Sequence, residues 1–482
     1  MSKDELIAKL KDSNVALKDS NVSLKQENAM LKKLIFGARS EKHKPTQVDD
    51  NQLNMFAHLD ENEEQDQEVL TTEVKGYKKI KKVHPGRQPL PDHLPVEEII
   101  IEPEVDTTGM KKIGELITET LEFTPASLKR IRYIRPKYTN QDGNGIVIGA
   151  LPDRPLPKAI AESGLLSYII TSKFVDHLPF YRQIERFKRD YKITIPSSTL
   201  NDWFAATCSL MEPLYNKLKE EVFDTPYLQC DESPIKVMDK NKTGKTHQGY
   251  QWVYHNPRLK LILFDYRKGR GMHGPKELLS DFQGTVQCDG YSVYDKVARK
   301  NKNIILAGCL AHVRRKYVEA KNSDHLLATV ALDLFSEIYK HEKAAKATND
   351  RQQYRNEHIV PLMKQLRVWI DNESIKVLPK SPIGKAMTYT INQWDKLMNI
   401  FTSSDIELDN NLIENKIRPL ALGRKNYLFA GSHKGAQRIA MMYSFFASCK
   451  ANEVNPYEWL KSTLEKLPNQ SMQNLKDLLP GD

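Results

Sequence analysis

The triplet Gln-Cys-Asp occurs twice, at Gln229–Asp231 and Gln287–Asp289, each time closing a short apolar run. The runs are Thr225-Pro-Tyr-Leu-Gln-Cys-Asp231 and Gly284-Thr-Val-Gln-Cys-Asp289, and both read as strands finishing in a carboxylate. A carboxylate at a buried strand end is costly unless paired, and two on neighbouring strands repel unless a cation lies between them. The doublet therefore asks for a sheet and for a hard cation held through oxygen, Mg²⁺ or Mn²⁺. Taken singly, each aspartate has the alternative of a turn or a helix cap. The two cysteines read as small buried strand residues. Between the triplets, Tyr250–Tyr254 and Leu259–Phe264 flank His-Asn-Pro-Arg and read as a hairpin.

Beyond the second triplet, Ile304-Ile-Leu-Ala runs as a strand into Gly308-Cys-Leu-Ala-His-Val-Arg-Arg-Lys-Tyr317, where His312, Arg314 and Arg315 enter a helix. His312 can orient a site residue or a DNA backbone, or be a satisfied structural histidine. Residues 318–400 are helical and charge-rich, with Trp369 and Trp394 as packing anchors. Then Asp409 or Asn410 caps a helix with Asn411, Glu414 or Asn415, and Arg418 on one face, and Leu412 and Ile413 on the other. Glu414 on that polar stripe either completes a metal site or forms a surface ion pair with Arg418.

At 482 residues the chain must divide into several folded units. Leu10, Leu17, Leu24 and Leu31 recur every seven residues, and Lys-Asp-Ser-Asn-Val-x-Leu appears twice in succession. This predicts a coiled coil over 1–36, with Asn14, Asn21 and Asn28 at the position that fixes register at a cost in stability. The alternative is a single helix packed on its own protein. Thr46–Leu70 holds eight acids and no Lys or Arg, so 37–74 reads as an acidic flexible linker. That stretch carries −8, and the rest must carry +18 to give the overall +10. Such a basic remainder points to a polyanionic partner, with nucleic acid first.

Residues 75–150 read as a small, mostly β basic module in which Arg130, Arg132, Arg135 and Lys137 are available to phosphate. Its candidate core is Ile113, Leu116, Leu121, Phe123, Ile131 and Ile134. Residues 151–222 turn helical, with an apolar stripe of Ile160, Leu165, Leu166, Ile169 and Ile170. A further helix opening at Pro196-Ser-Ser-Thr, with Ser or Thr caps, fits a helix-turn-helix in which Ser198 and Asn201 contact DNA. A plain helical bundle is the alternative. Five scattered cysteines without a Cys-x-x-Cys pair argue against a disulfide framework and a zinc ribbon. No apolar run approaches the roughly 18 residues of a membrane span, and the first residues lack a signal-peptide layout, so a cytoplasmic protein without a membrane partner is expected.

The heptads followed by Leu34-Ile-Phe-Gly-Ala-Arg-Ser-Glu-Lys42, then Leu90-Pro-Asp-His-Leu-Pro95, Gln-Cys-Asp-Glu-Ser-Pro, Cys-Asp-Gly-Tyr, Cys-Leu-Ala-His-Val-Arg-Arg, and Asp409-Asn-Asn-x-x-Glu-Asn415 through Gly431-Ser432 carry a family resemblance. Together they resemble the insertion-sequence-66 family of bacterial DDE transposases, from about Leu24 to Leu467. The resemblance implies an α/β RNase-H-like core over 223–450 with an α-helical insertion at about 318–400, and a C-terminal element over 451–482. It implies that Asp231, Asp289 and Glu414 are both the catalytic residues and the ligands of two Mg²⁺ or Mn²⁺ ions. His312, Asn411 and Arg418 would support them, while Arg314, Arg315, Arg424 and Lys425 would join the DNA contacts. Relatives commonly carry two cysteine pairs in the module before the helix-turn-helix. The matching stretches here, Val105–Gly109 and Tyr138–Asp142, contain none, so zinc is not expected.

The function expected on this basis is metal-dependent cleavage and transfer of DNA strands at terminal inverted repeats. Double-stranded DNA, a second copy joined through the coiled coil and accessory proteins encoded beside it are the expected partners. An RNase-H-like nuclease or resolvase, and a DNA-binding regulator without catalysis, are the alternatives.

Overall fold

A computed structural model of the chain describes residues 128–129, 131, 133–134, 152–157, 159–238 and 245–481, with backbone alone at 137–139 and 146–148. The expected coiled coil over 1–36, the acidic linker over 37–74, and Arg130, Arg132 and Arg135 lie outside the described residues. Residues 131–482 form one compact unit. It begins with an antiparallel pair, β1 (Lys137–Thr139) and β2 (Ile146–Ile148). Ile131 and Ile134, expected in a core here, are 49% and 77% exposed.

Four helices follow: α1 (Ser163–Phe174), α2 (Phe180–Tyr191), α3 (Ser197–Leu210) and α4 (Glu212–Phe223). Of the stripe read for α1, Leu166, Ile169 and Ile170 are buried, but Ile160 is outside the helix and exposed. Helix α2 ends on Lys192 in the left-handed conformation, and α3 starts at Pro196 without a side-chain cap. The expected Ser or Thr cap is absent because the N-cap position falls on Pro196, which has no side-chain oxygen to accept a backbone N–H. Leu200, Trp203, Phe204 and Cys208 bury the inner face of α3.

The centre is a five-stranded mixed sheet of β3 (Tyr227–Met238), β4 (Thr246–Asn256), β5 (Leu261–Arg267), β6 (Gly284–Gln287) and β7 (Ile304–Ala307). Helices α5 (His273–Leu278) and α6 (Ser292–Lys300) flank β6 along the chain, and α7 (Leu310–Ala320) follows β7. The strand order is β5-β4-β3-β6-β7, antiparallel through β5, β4 and β3 and parallel through β3, β6 and β7. The hairpin read from the sequence is β4–β5, turning at Pro257–Lys260. Strand β3 does not stop at Asp231. It runs on to Met238 because β4 continues to pair it, Asp231 opposite Val253.

A helical insertion comes next: α8 (His325–Ala345), α9 (Arg351–Tyr354), a π-helical turn (Arg355–Ile359), α10 (Val360–Ser374) and α11 (Pro382–Met398). It closes over α7 around an apolar core that includes Tyr317, Phe335, Ile338, Met363, Leu366 and Met387, against which the partly buried Trp369 and Trp394 pack. The chain then returns through α12 (Asn411–Tyr427), α13 (His433–Ala451) and α14 (Pro456–Lys466). Helix α13 covers the edge strand β5. Ser444 Oγ accepts from Phe264 N–H at 2.7 Å and Ser448 Oγ from Ile262 N–H at 2.9 Å. Edge N–H groups that would otherwise invite another strand are thereby satisfied. Among the described residues, no helix is long and apolar enough to cross a membrane.

Candidate active site

Strands β3 and β6 pair in parallel with Gln229 opposite Gln287, so the two Gln-Cys-Asp triplets lie in matching register. Side chains alternate along a strand, which puts each Gln on the face of its own Asp and each Cys on the other. Cys230 and Cys288 are accordingly 0% exposed. Pairing with β6 ends at Gln287, while β3 continues beside β4. Beyond that last pair β3 runs on without β6, which leaves a notch beside β3, and Asp231 and Asp289, two residues past the paired glutamines, lie near enough for the charge of Asp289 to act on Asp231.

The glutamines fasten the third element. Gln287 Nε2 donates to Gly308 O at 3.0 Å and Glu407 O at 2.7 Å, and its Oε1 accepts from Tyr227 Oη at 2.5 Å and Gln229 Nε2 at 3.1 Å. Gln229 Nε2 also reaches Asp409 O at 3.3 Å, and its Oε1 faces His255 Nδ1 at 2.9 Å. Asn410 Nδ2 donates to Cys230 O at 3.0 Å, and Asn410 N–H to Cys309 Sγ at 3.2 Å. All of these amide side chains are buried. They lash residues 407–410 across the strand ends, so helix α12 starts beside the notch.

Asn410 is the N-cap of α12 but its side chain makes no cap bond; Asp409, just before it, accepts from Asn411 N–H on Oδ1 at 3.0 Å and from Tyr339 Oη of the insertion on Oδ2 at 3.1 Å. One turn in, Glu414 points at the notch. Its neighbours are His312 Nε2 and Arg315 Nη2, each at 3.8 Å. Among the described residues no Glu414–Arg418 ion pair forms. Ile413 is buried and Leu412 is 41% exposed, so these two do not share the apolar face read from the sequence; consecutive helical residues lie about 100° apart.

Burial pushes the Asp231 carboxyl well above the usual range, and the negative charges of Glu232, Asp289 and Glu414 add to the effect. Glu232 N–H donates to Asp231 Oδ1 at 2.7 Å, and Tyr291 N–H to Asp289 Oδ1 at 2.9 Å. Gly290, next to Asp289, lies against Tyr389 of the insertion; a Cβ there would fall 2.7 Å from its hydroxyl. A buried Asp231 carboxyl whose ionisation is opposed by the charges of Asp289 and Glu414 fits a cation in kind. Glu414 Oε1 and His312 Nδ1, buried without a hydrogen bond, fit it too. As they stand, no three His, Cys, Asp or Glu side chains among the described residues are gathered closely enough to hold an ion.

The remaining expected contacts are dispersed. Ser198 and Asn201 are exposed on α3, with Asn201 Nδ2 turned back to Ser197 O at 2.7 Å. Lys137 stands on β1. Arg424 is engaged with β3, donating to Ser233 Oγ at 3.0 Å and to Pro234 O. Arg314 and Lys425 each have a partner within the fold. The sequence assigned no site role to Gln229, Gln287, Tyr227 or Glu232, and offered Asn410 only as a helix cap. The recurrence of Gln two places before each Asp was the available signal.

Comparison with known proteins matches this arrangement to one family. Residues 158–438 match the model described as Transposase IS66 family, residues 23–99 that described as Transposase C of IS166 homeodomain, and residues 444–480 that described as IS66 C-terminal element. Among similar chains of Sinorhizobium fredii (strain NBRC 101917 / NGR234), Uncharacterized protein y4jD is 30% identical over 414 residues, covering 81% of each chain. Uncharacterized protein y4qI is 30% identical over 408 residues, 80% of this chain and 75% of its own. Uncharacterized protein y4hP is 28% identical over 431 residues, 83% and 77% respectively. The first of the three family models spans more than half of the sequence and includes every carboxylate at the notch, so the chain belongs to the IS66 family of transposases.

Proposed function

We propose that the protein binds the terminal inverted repeats of an insertion sequence and catalyses metal-dependent DNA cleavage and strand transfer, with Asp231, Asp289 and Glu414 as the catalytic carboxylates. The observation that carries this reading is the parallel register of Gln229 with Gln287, which brings both aspartates to one notch beside Glu414. The strand order, three antiparallel strands continued by two parallel ones, supports an RNase-H-like core.

The same three carboxylates would hold Mg²⁺ or Mn²⁺. Bound there, the ions supply activation of a water or 3′-hydroxyl and neutralisation of charge on the phosphate. The protein's own residues do the positioning. Arg315 and His312 flank Glu414 and orient its carboxylate; the buried amides hold α12 at the strand ends. Because attack is by water or a DNA hydroxyl, no serine or tyrosine nucleophile is required. Arg418, exposed Ser198 and Asn201, and the basic stretch containing Arg130, Arg132, Arg135 and Lys137 are proposed to contact the DNA backbone. A partner copy joined through the coiled coil over 1–36, accessory proteins encoded beside the element, and a cytoplasmic, nucleoid-associated setting complete the reading.

Incubating the full chain with Mg²⁺ and labelled DNA carrying the flanking inverted repeats tests it. Joined products are expected. Cut-only products would make the protein a nuclease or resolvase, and retention without cleavage a regulator.

A further inference from the structure

Glu232 follows Asp231 on β3 but faces the opposite side of the sheet, where Arg270 meets it. Arg270 Nε and Nη2 lie 2.8 and 2.5 Å from the same oxygen, Glu232 Oε1. The other oxygen, Oε2, is buried with no hydrogen bond. A guanidinium whose two donors converge on one oxygen forgoes the forked pairing that makes such pairs strong. The ion pair is also lopsided in exposure: the Glu232 side chain is 4% exposed and that of Arg270 47%.

The surroundings hold the guanidinium beside the notch without committing it to Glu232. It stacks over the Tyr291 ring at 4.1 Å, with Tyr250 further off at 5.9 Å. Tyr291 Oη donates to Arg270 O at 2.8 Å, while Tyr291 N–H holds Asp289 Oδ1. One tyrosine thus links Arg270 to a carboxylate of the site. Gly269 and Gly271 flank Arg270, with no heavy atom nearer than 3.9 Å to a Cβ at the first and none within 4 Å at the second. The segment has room to move. A second donor is in place too, since the buried Tyr294 hydroxyl bonds no other residue and acts on Glu232 as a donor.

We propose that Arg270 is a further DNA-binding residue: on engagement its guanidinium leaves Glu232 for a backbone phosphate beside the notch, stays stacked on Tyr291, and yields Glu232 to the Tyr294 hydroxyl. The assignment rests on the transposase reading, since it takes DNA as the ligand. Glu232 then acts as a stand-in for phosphate in the DNA-free protein, restraining the guanidinium until a better anion arrives.

The test measures the affinity of the full chain for a labelled duplex of the element's terminus, in EDTA, as a function of salt. Arg270→Gln should weaken binding roughly tenfold near 0.1 M salt and reduce the log–log salt slope by about one. Glu232→Gln, which frees the guanidinium, should tighten binding severalfold, and the double variant should bind like Arg270→Gln. Circular dichroism checks folding. If Arg270→Gln is unfolded, Arg270→Lys decides, with the slope kept and the affinity lowered about two- to threefold through lost stacking and forked donors. An unchanged affinity and slope in the Arg270 variant overturns the assignment. So does tightening by Glu232→Gln that persists undiminished beside Arg270→Gln, because that is a plain charge effect. Wild-type protein that binds no DNA overturns the functional reading as well; binding with an idle Arg270 overturns this assignment alone.

Discussion

The Gln287 side chain is fully buried and shares its four hydrogen bonds among β3, the loop after β7 and the approach to α12. Replacing it by leucine leaves buried partners unsatisfied, at about 1–3 kcal/mol for each group that finds no substitute. Gln287→Leu should therefore lower stability by about 3 kcal/mol in denaturant unfolding. It should also slow strand transfer beyond the loss of folded protein, by letting Glu414 drift. A variant as stable and active as wild type would show the amide network to be idle. The Gln-Cys-Asp doublet was plain in the sequence because each copy is local. Its register was not, because nothing within either run says which residue of β3 faces which residue of β6. The Arg270–Glu232 pair was hidden for the same reason, its partners lying 38 residues apart.

Elements join the insertion to the site through one ionic cluster. Fully buried Arg355, on the π-helical turn, grips Glu342 of α8 at 2.9 and 2.5 Å and donates to Ser403 O at 3.1 Å. Arg351 adds a contact to Glu342 at 2.5 Å and to Glu407 at 3.2 Å, two residues before Asp409. Burial pushes the Glu342 carboxyl up, but the bonds from Arg355 and Arg351 outweigh it and hold it below the ordinary value. A carboxylate held down in the fold stabilises fully above the unfolded value of about 4.3, and loses that contribution as pH falls through the folded value. Glu342→Gln should thus cost about 3 kcal/mol at pH 7 and distinctly less near pH 3. Urea unfolding at the two pH values checks this; equal costs would leave the pair without its assigned weight. The sequence announced a charge-rich helical stretch here, since period and composition are local. It was silent on the π turn, which exists to seat Arg355 under α8 and depends on contacts distant along the chain.

At the scale of the molecule, the helices before the sheet and the helix after it meet behind it. Ser163 Oγ of α1 donates to Glu465 Oε1 of α14 at 2.7 Å, and Phe174 meets Tyr443 of α13 edge-on at 5.3 Å. A sheet carrying both aspartates was expected from the residues, and a helical insertion followed by the helix bearing Glu414 from the family resemblance; the strand order was not foreseen. Exposed Ile131, Ile134 and Ile160 were not either, because apolar identity alone does not say which face a neighbour covers. The notch is the product of the whole assembly: parallel register brings Asp231 and Asp289 together, and the insertion and amide network deliver Glu414. Its most direct test is a strand-transfer assay in Mg²⁺ and in Mn²⁺ comparing wild type with Asp231→Asn, Asp289→Asn, Glu414→Gln and Asp409→Asn. Each of the first three should bind the element's end as wild type does and give no cut or joined product, whereas Asp409→Asn, which keeps an oxygen to accept from Asn411 N–H and lies outside the assigned triad, should retain strand transfer. Wild-type joining by Glu414→Gln, or its abolition by Asp409→Asn in a folded protein, would contradict the assignment of the third carboxylate.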